Sequence, residues 1–165
     1  MLILFILPFV LFAVPTLAGA DGSYVVLSDS MNPTLEAGDV VFVEETPPEA
    51  VEEGDVLTFW TEDPEAYHGD DPETNLVTHR VVEIDRSGDQ TVFTTHGDAL
   101  AQPDSDPVLG EQIVGTVTFA IPYLGYVIAF AGSRTGILLL VVVPCTLLVI
   151  NEVYELAVAV RANKE

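Results

Sequence analysis

Basic side chains are scarce in this sequence. Its 165 residues include five lysines and arginines against 26 aspartates and glutamates, which gives a formal net charge of −21. Residues 21–133 alone contain 23 of the acids, and their only basic residues other than histidine are Arg80 and Arg86. A surface this anionic repels nucleic acid and anionic lipid headgroups, so no nucleic-acid partner is predicted.

Acidic chains are often disordered because they bury too little apolar surface. Here 49% of the residues are hydrophobic, which favours a folded protein. In about 1 M salt, charges are screened within about 3 Å, so a folded surface can carry this charge density. We therefore predict a protein from a halophile.

Cysteine and lysine each occur once, as Cys145 and Lys164. A single cysteine excludes an internal disulfide. Cys145 lies in an apolar run, where it is expected to pack as a small hydrophobic residue. Lys164 is the second-last residue of the sequence as given.

Two apolar segments flank a polar middle. Residues 1–20 contain no charged side chain and would span about 30 Å as a helix, enough to cross a bilayer core. A cleaved signal peptide is the alternative, because Ala18-Gly19-Ala20 has the small residues of a cleavage site. We predict a retained anchor, since no basic residue precedes the apolar stretch, and an upstream start codon is also conceivable. Residues 134–160 form the second predicted span.

The tail, residues 161–165, contains Arg161 and Lys164. Basic residues beside a span favour the cytoplasmic side, although Arg134 at the other end of the span opposes this. With two spans, residues 21–133 then face outward. The predicted location is the cell membrane, crossed twice, with the lipid bilayer as a partner.

The middle region, residues 21–133, has the pattern of a β domain. Short β-branched runs separated by turn residues predict strands. Among these runs are Tyr24–Leu27, Val40–Val43, Asp55–Trp60, Leu76–Val82, Thr91–Thr94 and Ile113–Phe119. No stretch there shows sustained helical periodicity. The fold class predicted is mainly β, a barrel-like domain flanked by two transmembrane helices.

Ser30 follows the first of these runs, and Pro33 predicts a turn that holds its hydroxyl clear of the sheet. A serine nucleophile needs a base, usually histidine or lysine. Lys164 is excluded because it lies beyond the second span. His68, in an acidic loop, is expected to be solvated, whereas His79 lies within a strand that can aim its ring. His96, at a strand end, stays a weaker candidate.

A catalytic imidazole needs a carboxylate to fix its tautomer. Asp98 and Asp104 lie on a turn-rich segment after a strand, and the residues alone leave the choice between them open. A hydroxyl, an imidazole and a carboxylate complete this chemistry, so no cofactor and no metal are predicted.

Three motifs together resemble those of a known family. Ser28–Leu35 followed by Gly38-Asp39 is similar to the Ser-x-Ser-Met-x-Pro-Thr-Leu…Gly-Asp motif of type I signal peptidases. Thr78–Val81 resembles the second motif of the archaeal and endoplasmic-reticulum branch, in which histidine replaces lysine. Thr95–Asp98 with Asp104 resembles the third. The sequence departs from the family at His96, where lysine is common, and at Leu100, where a small polar residue is common.

The resemblance implies roles for these residues. Ser30 would be the nucleophile, His79 the general base and Asp104 the orienting acid, with Asp98 as a supporting carboxylate. The Ser30 backbone N–H would form the oxyanion hole, with the Ser28 hydroxyl as a second donor. The implied fold is a small, mainly β protease domain.

The implied activity is a membrane-bound serine endopeptidase that removes signal peptides from secretory preproteins. The protein translocation machinery is a further candidate partner. An extended substrate would add as a strand beside Tyr24–Leu27. The alternative from another class is a non-catalytic, membrane-anchored acidic β domain that binds or scaffolds envelope proteins.

Overall fold

The computed structural model describes residues 10, 13–61 and 75–162, with side chains described as far as residue 154. The chain divides into two compact units, Met1–Gly125 and Tyr126–Glu165. Most of the predicted first span, residues 1–20, lies outside the described residues. Its described end is a short 3₁₀ helix, Pro15–Ala18, followed by Gly19 in the left-handed conformation (φ 75°).

The first unit is built on a single antiparallel sheet, which confirms the prediction of a mainly β domain. Each predicted run overlaps a strand, because β-branched and aromatic side chains suit a pleated, half-buried surface. The strands are β1 Gly22–Val25, β2 Val40–Glu44, β3 Val56–Trp60, β4 Leu76–Asp85, β5 Val92–His96, β6 Val108–Leu109 and β7 Ile113–Ile121. β4 is three residues longer than predicted, and the two-residue β6 was not predicted.

The strands lie in the order β1-β2-β7-β3-β4-β5-β6. β7 therefore separates β2 from β3, which are consecutive in sequence. Among the described residues β1 pairs with β2 alone and β6 with β5 alone, so the described strands do not close into the barrel-like shape that the sequence predicted. β1 is followed in sequence by the turn that carries Ser30.

Alternation along the strands buries two apolar clusters. The larger contains Val51, Leu57, Phe59, Val81, Phe93 and Val108. The smaller contains Met31, Leu35, Val41 and Val43, and so ties the loop after β1 to β2. Successive side chains of a strand point to opposite faces, so the residues before and after a buried residue face away from its cluster.

Helices follow the sheet. Their bounds are α1 Leu124–Gly132, α2 Arg134–Ile137, a π-helical turn Leu138–Val142, and α3 Val143–Ala162. The π-helical turn ends just before Pro144, whose missing N–H removes one helical hydrogen bond. α1 was not predicted, since its nearly uniform apolar sequence has no amphipathic period for a sequence reading to detect.

One helical segment among the described residues, Arg134–Tyr154, is long and apolar enough to cross a bilayer, with a mean hydropathy of 2.3. It coincides with the second predicted span. Its apolar side chains are exposed, including Leu147, Leu148 and Ile150. Exposed leucine and isoleucine over this length are typical of a lipid-facing helix.

Candidate active site

Ser30 lies on the turn between β1 and β2, as the sequence predicted. The turn is anchored by Met31 and Leu35, whose side chains are buried in the smaller cluster. The N–H groups of Thr34 and Leu35 both donate to the carbonyl of Met31, at 2.8 and 3.0 Å. Apolar anchors on both sides of a tight turn hold the serine at the surface of the sheet.

His79 lies near the middle of β4, opposite Leu57 of β3. Its residue is only 8% exposed, and the edge of the ring approaches Phe59 with ring centroids 6.4 Å apart. β4 is paired with a strand on each side, so the backbone that carries the imidazole is held in place. Phe59 limits rotation of the ring. The ring is therefore aimed by the sheet rather than by a loop.

The structure brings Ser30, His79 and Asp104 into one continuous hydrogen-bonded row. His79 Nε2 lies 3.1 Å from Ser30 Oγ, and His79 Nδ1 lies 2.6 Å from Asp104 Oδ2. A carboxylate only accepts hydrogen bonds, so the Nδ1–H group donates to Asp104 and leaves the Nε2 lone pair facing the serine hydroxyl. This arrangement suits transfer of the hydroxyl proton to the imidazole.

Asp98 lies apart from the imidazole, in an ion pair with Arg80. Arg80 Nε and Nη2 donate to its two carboxylate oxygens at 2.9 and 2.7 Å. The Thr34 hydroxyl donates to the same carboxylate at 2.5 Å. Arg80 also donates to the Gly54 carbonyl at 2.9 Å, so the network joins the Ser30 turn, β4, the loop after β5 and the turn before β3.

This network shifts the pKa values of both partners. The hydrogen bonds from Arg80, and then that from Thr34, hold the pKa of Asp98 below its ordinary value despite partial burial. The hydrogen bond to Asp98 raises the pKa of Arg80. Both groups therefore stay charged at neutral pH, and Asp98 serves as a structural clamp in this arrangement.

We expect Asp98→Asn to lower the free energy of unfolding by about 1–2 kcal/mol at pH 7, because it removes the charge from a bidentate pair. The pKa of Asp98 is lower in the folded state than the unfolded value of about 3.9, so its stabilisation is complete above that pH. The stabilisation is lost as pH falls through the folded pKa. Denaturant titrations of both proteins from pH 7 to pH 2 should thus converge in acid, and a constant difference would contradict the assignment.

Ser28 was predicted to support the site, and its hydroxyl lies 3.3 Å from Ser30 Oγ. His96 does not join the row. His96 Nε2–H donates to the carbonyl of Leu100 at 3.0 Å, and His68 lies outside the described residues. Within the described part of the chain, no three His, Cys, Asp or Glu side chains are grouped closely enough to hold a metal ion.

A cavity of about 460 Å³ opens beside Ser30 and His79. Its walls come from the segment Tyr24–Leu27 on one side and from Leu76–Thr78 of β4 on the other. Met31, Leu35 and Val41 add apolar surface. A cleft with two chain segments as walls and a serine at its end can hold an extended peptide.

Three contributors to the site were not given a role from the sequence. Thr95 contacts Asp104, Arg80 holds Asp98, and Thr34 joins the same ion pair. Arg80 offered a signal, since residues 21–133 contain only two arginines against 23 acids and Arg80 is adjacent to His79. The threonines offered none, because a threonine on a strand or in a turn is common without a special role.

Comparisons with known proteins add an independent observation. No family model matches the chain. Over 99 residues it is 36% identical to Signal peptidase I W of Bacillus subtilis (strain 168), a match that covers 59% of this chain and 47% of the relative. The chain thus spans about half the length of the curated relative that it matches.

Proposed function

We propose that this chain, which is similar over part of its length to Signal peptidase I W, is a membrane-associated serine endopeptidase that removes N-terminal signal peptides from secreted preproteins. The observation that carries the proposal is the row in which His79 lies 3.1 Å from the Ser30 hydroxyl and 2.6 Å from Asp104. The match to Signal peptidase I W supports the choice of substrate.

In the proposed reaction, Ser30 Oγ attacks the scissile carbonyl carbon while His79 Nε2 takes the hydroxyl proton. Asp104 stabilises the imidazolium cation that forms. The carbonyl oxygen becomes an oxyanion, for which the Ser30 N–H and the Ser28 hydroxyl are the proposed donors. Collapse breaks the C–N bond, and the leaving amine receives the proton from His79. Water then attacks the acyl carbon while His79 Nε2 takes a proton from it, and the ester C–O bond breaks as Ser30 Oγ receives that proton and the carboxylic acid product leaves.

Histidine is the base in this proposal because the chain offers no lysine in its place. The only lysine in the sequence is Lys164, which lies outside the described residues. The histidine-containing branch of the family, as in archaea and the endoplasmic reticulum, is therefore the proposed branch. From the acidic composition we also propose that the protein comes from a halophile.

The substrate is proposed to bind extended in the cavity, as an added strand beside the segment Tyr24–Leu27. Main-chain hydrogen bonds would give affinity, and alternate side chains would enter the cleft. The segment Arg134–Tyr154 is the proposed membrane anchor. We also propose that residues 1–20 form another span and that the β domain faces outward. The translocation machinery is the proposed source of the preproteins.

The test is processing of a defined preprotein by the purified full chain in detergent, at high salt. The preprotein carries alanine before the scissile bond, and a matched version carries tryptophan there. We expect one cut, located by mass spectrometry, in the alanine substrate alone. A scaffold without catalysis would give no cut with either substrate, and cutting that persists in Ser30→Ala would rule out the proposed nucleophile.

A further inference from the structure

One oxygen of Asp104 accepts two short hydrogen bonds. His79 Nδ1 lies 2.6 Å from Oδ2, and Thr95 Oγ1 lies 2.6 Å from the same atom. The Thr95 hydroxyl is the donor of its bond, because a carboxylate oxygen accepts. The single hydroxyl proton of Thr95 is therefore directed at the oxygen that also faces the imidazole.

Thr95 is placed for this contact by β5. The strand buries alternate residues, so that Phe93 and Thr95 are each 0% exposed. The Asp104 backbone N–H also donates to the Thr95 carbonyl at 2.9 Å. Asp104 is thus tied to one strand residue through both its backbone and its side chain, although it lies on an irregular segment nine positions later.

These contacts restrict a carboxylate that would otherwise rotate. The Asp104 side chain is 22% exposed, whereas that of His79 is 10% exposed, so water competes for the carboxylate more than for the ring. A donor on the fully buried Thr95 fixes the direction of Oδ2 from the protein side. Loss of that donor would leave the His79 Nδ1–H without a fixed acceptor.

We propose that Thr95 is a positioning residue for the peptidase reaction: through its hydroxyl it holds the Asp104 carboxylate in line with His79. The inference rests on the proposed function, because it assigns Thr95 a role in that reaction. It acts on the chemical step and not on peptide binding, since Thr95 is absent from the walls of the cavity beside Ser30.

The test compares Thr95→Val, Thr95→Ser and Thr95→Ala in the full chain with the alanine preprotein. Removal of a hydrogen bond to a charged group should lower kcat by about 10- to 100-fold in the valine and alanine variants, with KM unchanged. Thr95→Ser should restore kcat to within about threefold of the original, because it keeps the donor. Thr94→Val, a neighbour whose side chain points to the other face of β5, is the matched control.

If Thr95→Val folds poorly, the comparison of Thr95→Ser with Thr95→Ala still tests the inference, because these two variants differ only in the side-chain hydroxyl. Equal kcat in Thr95→Ser and Thr95→Ala would overturn the inference, as would unchanged kcat in Thr95→Val. The downfield proton NMR signal of His79 Nδ1–H should also shift in the alanine variant and not in the serine variant. If the Ser30→Ala variant still cut the preprotein, that result would instead refute the proposed function.

Discussion

Replacing either Ser30 or His79 by alanine is expected to lower kcat/KM for preprotein cleavage by about a thousandfold to a millionfold. The hydroxyl and the imidazole are joined by one hydrogen bond of 3.1 Å, so each is inactive without the other. The double variant should therefore be no slower than either single variant. Single-turnover cleavage with excess enzyme measures these rates and avoids limits from product release.

His96→Ala is the matched control for His79→Ala, because its ring donates to the Leu100 carbonyl and does not reach Ser30. We expect it to retain activity within about tenfold, the scale of losing one neutral hydrogen bond. Additive losses in the double variant would show that the two groups act separately. Such a result would exclude the proton transfer proposed here, even if both single variants were slow.

Asp104 illustrates how far the residues alone could identify the site. Ser30 and His79 were predictable because the chain has three histidines and no lysine near the motif. The choice between Asp98 and Asp104 was not, since acids are so abundant that position carried little information. The structure separates them: Arg80 occupies both oxygens of Asp98, while Asp104 lies against the imidazole.

The fold shows the same division between local and long-range information. β-branched runs predicted most strands because side-chain packing on a pleated surface is a local preference. The insertion of β7 between β2 and β3 could not be read in this way, because pairing across more than 70 residues leaves no periodic signal. α1 escaped prediction because its sequence is apolar on all sides.

Gly97→Ala is expected to lower kcat by about 100-fold, the cost of misplacing a catalytic group by about 1 Å. A Cβ on Gly97 would lie 2.7 Å from the Ser30 carbonyl oxygen and 3.0 Å from His79 Nε2. Both contacts are too close, so the Ser30 turn or the imidazole must move. The Ser30 carbonyl is further restrained by the Ala99 N–H at 2.9 Å, which limits how the turn can adjust.

Gly88→Ala provides the matched control, because its nearest atom to a new Cβ, the Gln90 carbonyl oxygen, is 3.9 Å away. It should keep kcat near the original value. The added methyl of Gly97→Ala pushes on His79 Nε2 and on the backbone carbonyl of Ser30, whereas KM depends on the cavity walls, which do not include Gly97. If Gly97→Ala kept full kcat, Ser30 and His79 would be active in a displaced geometry. The 3.1 Å distance between Ser30 Oγ and His79 Nε2 would then not represent the reacting arrangement.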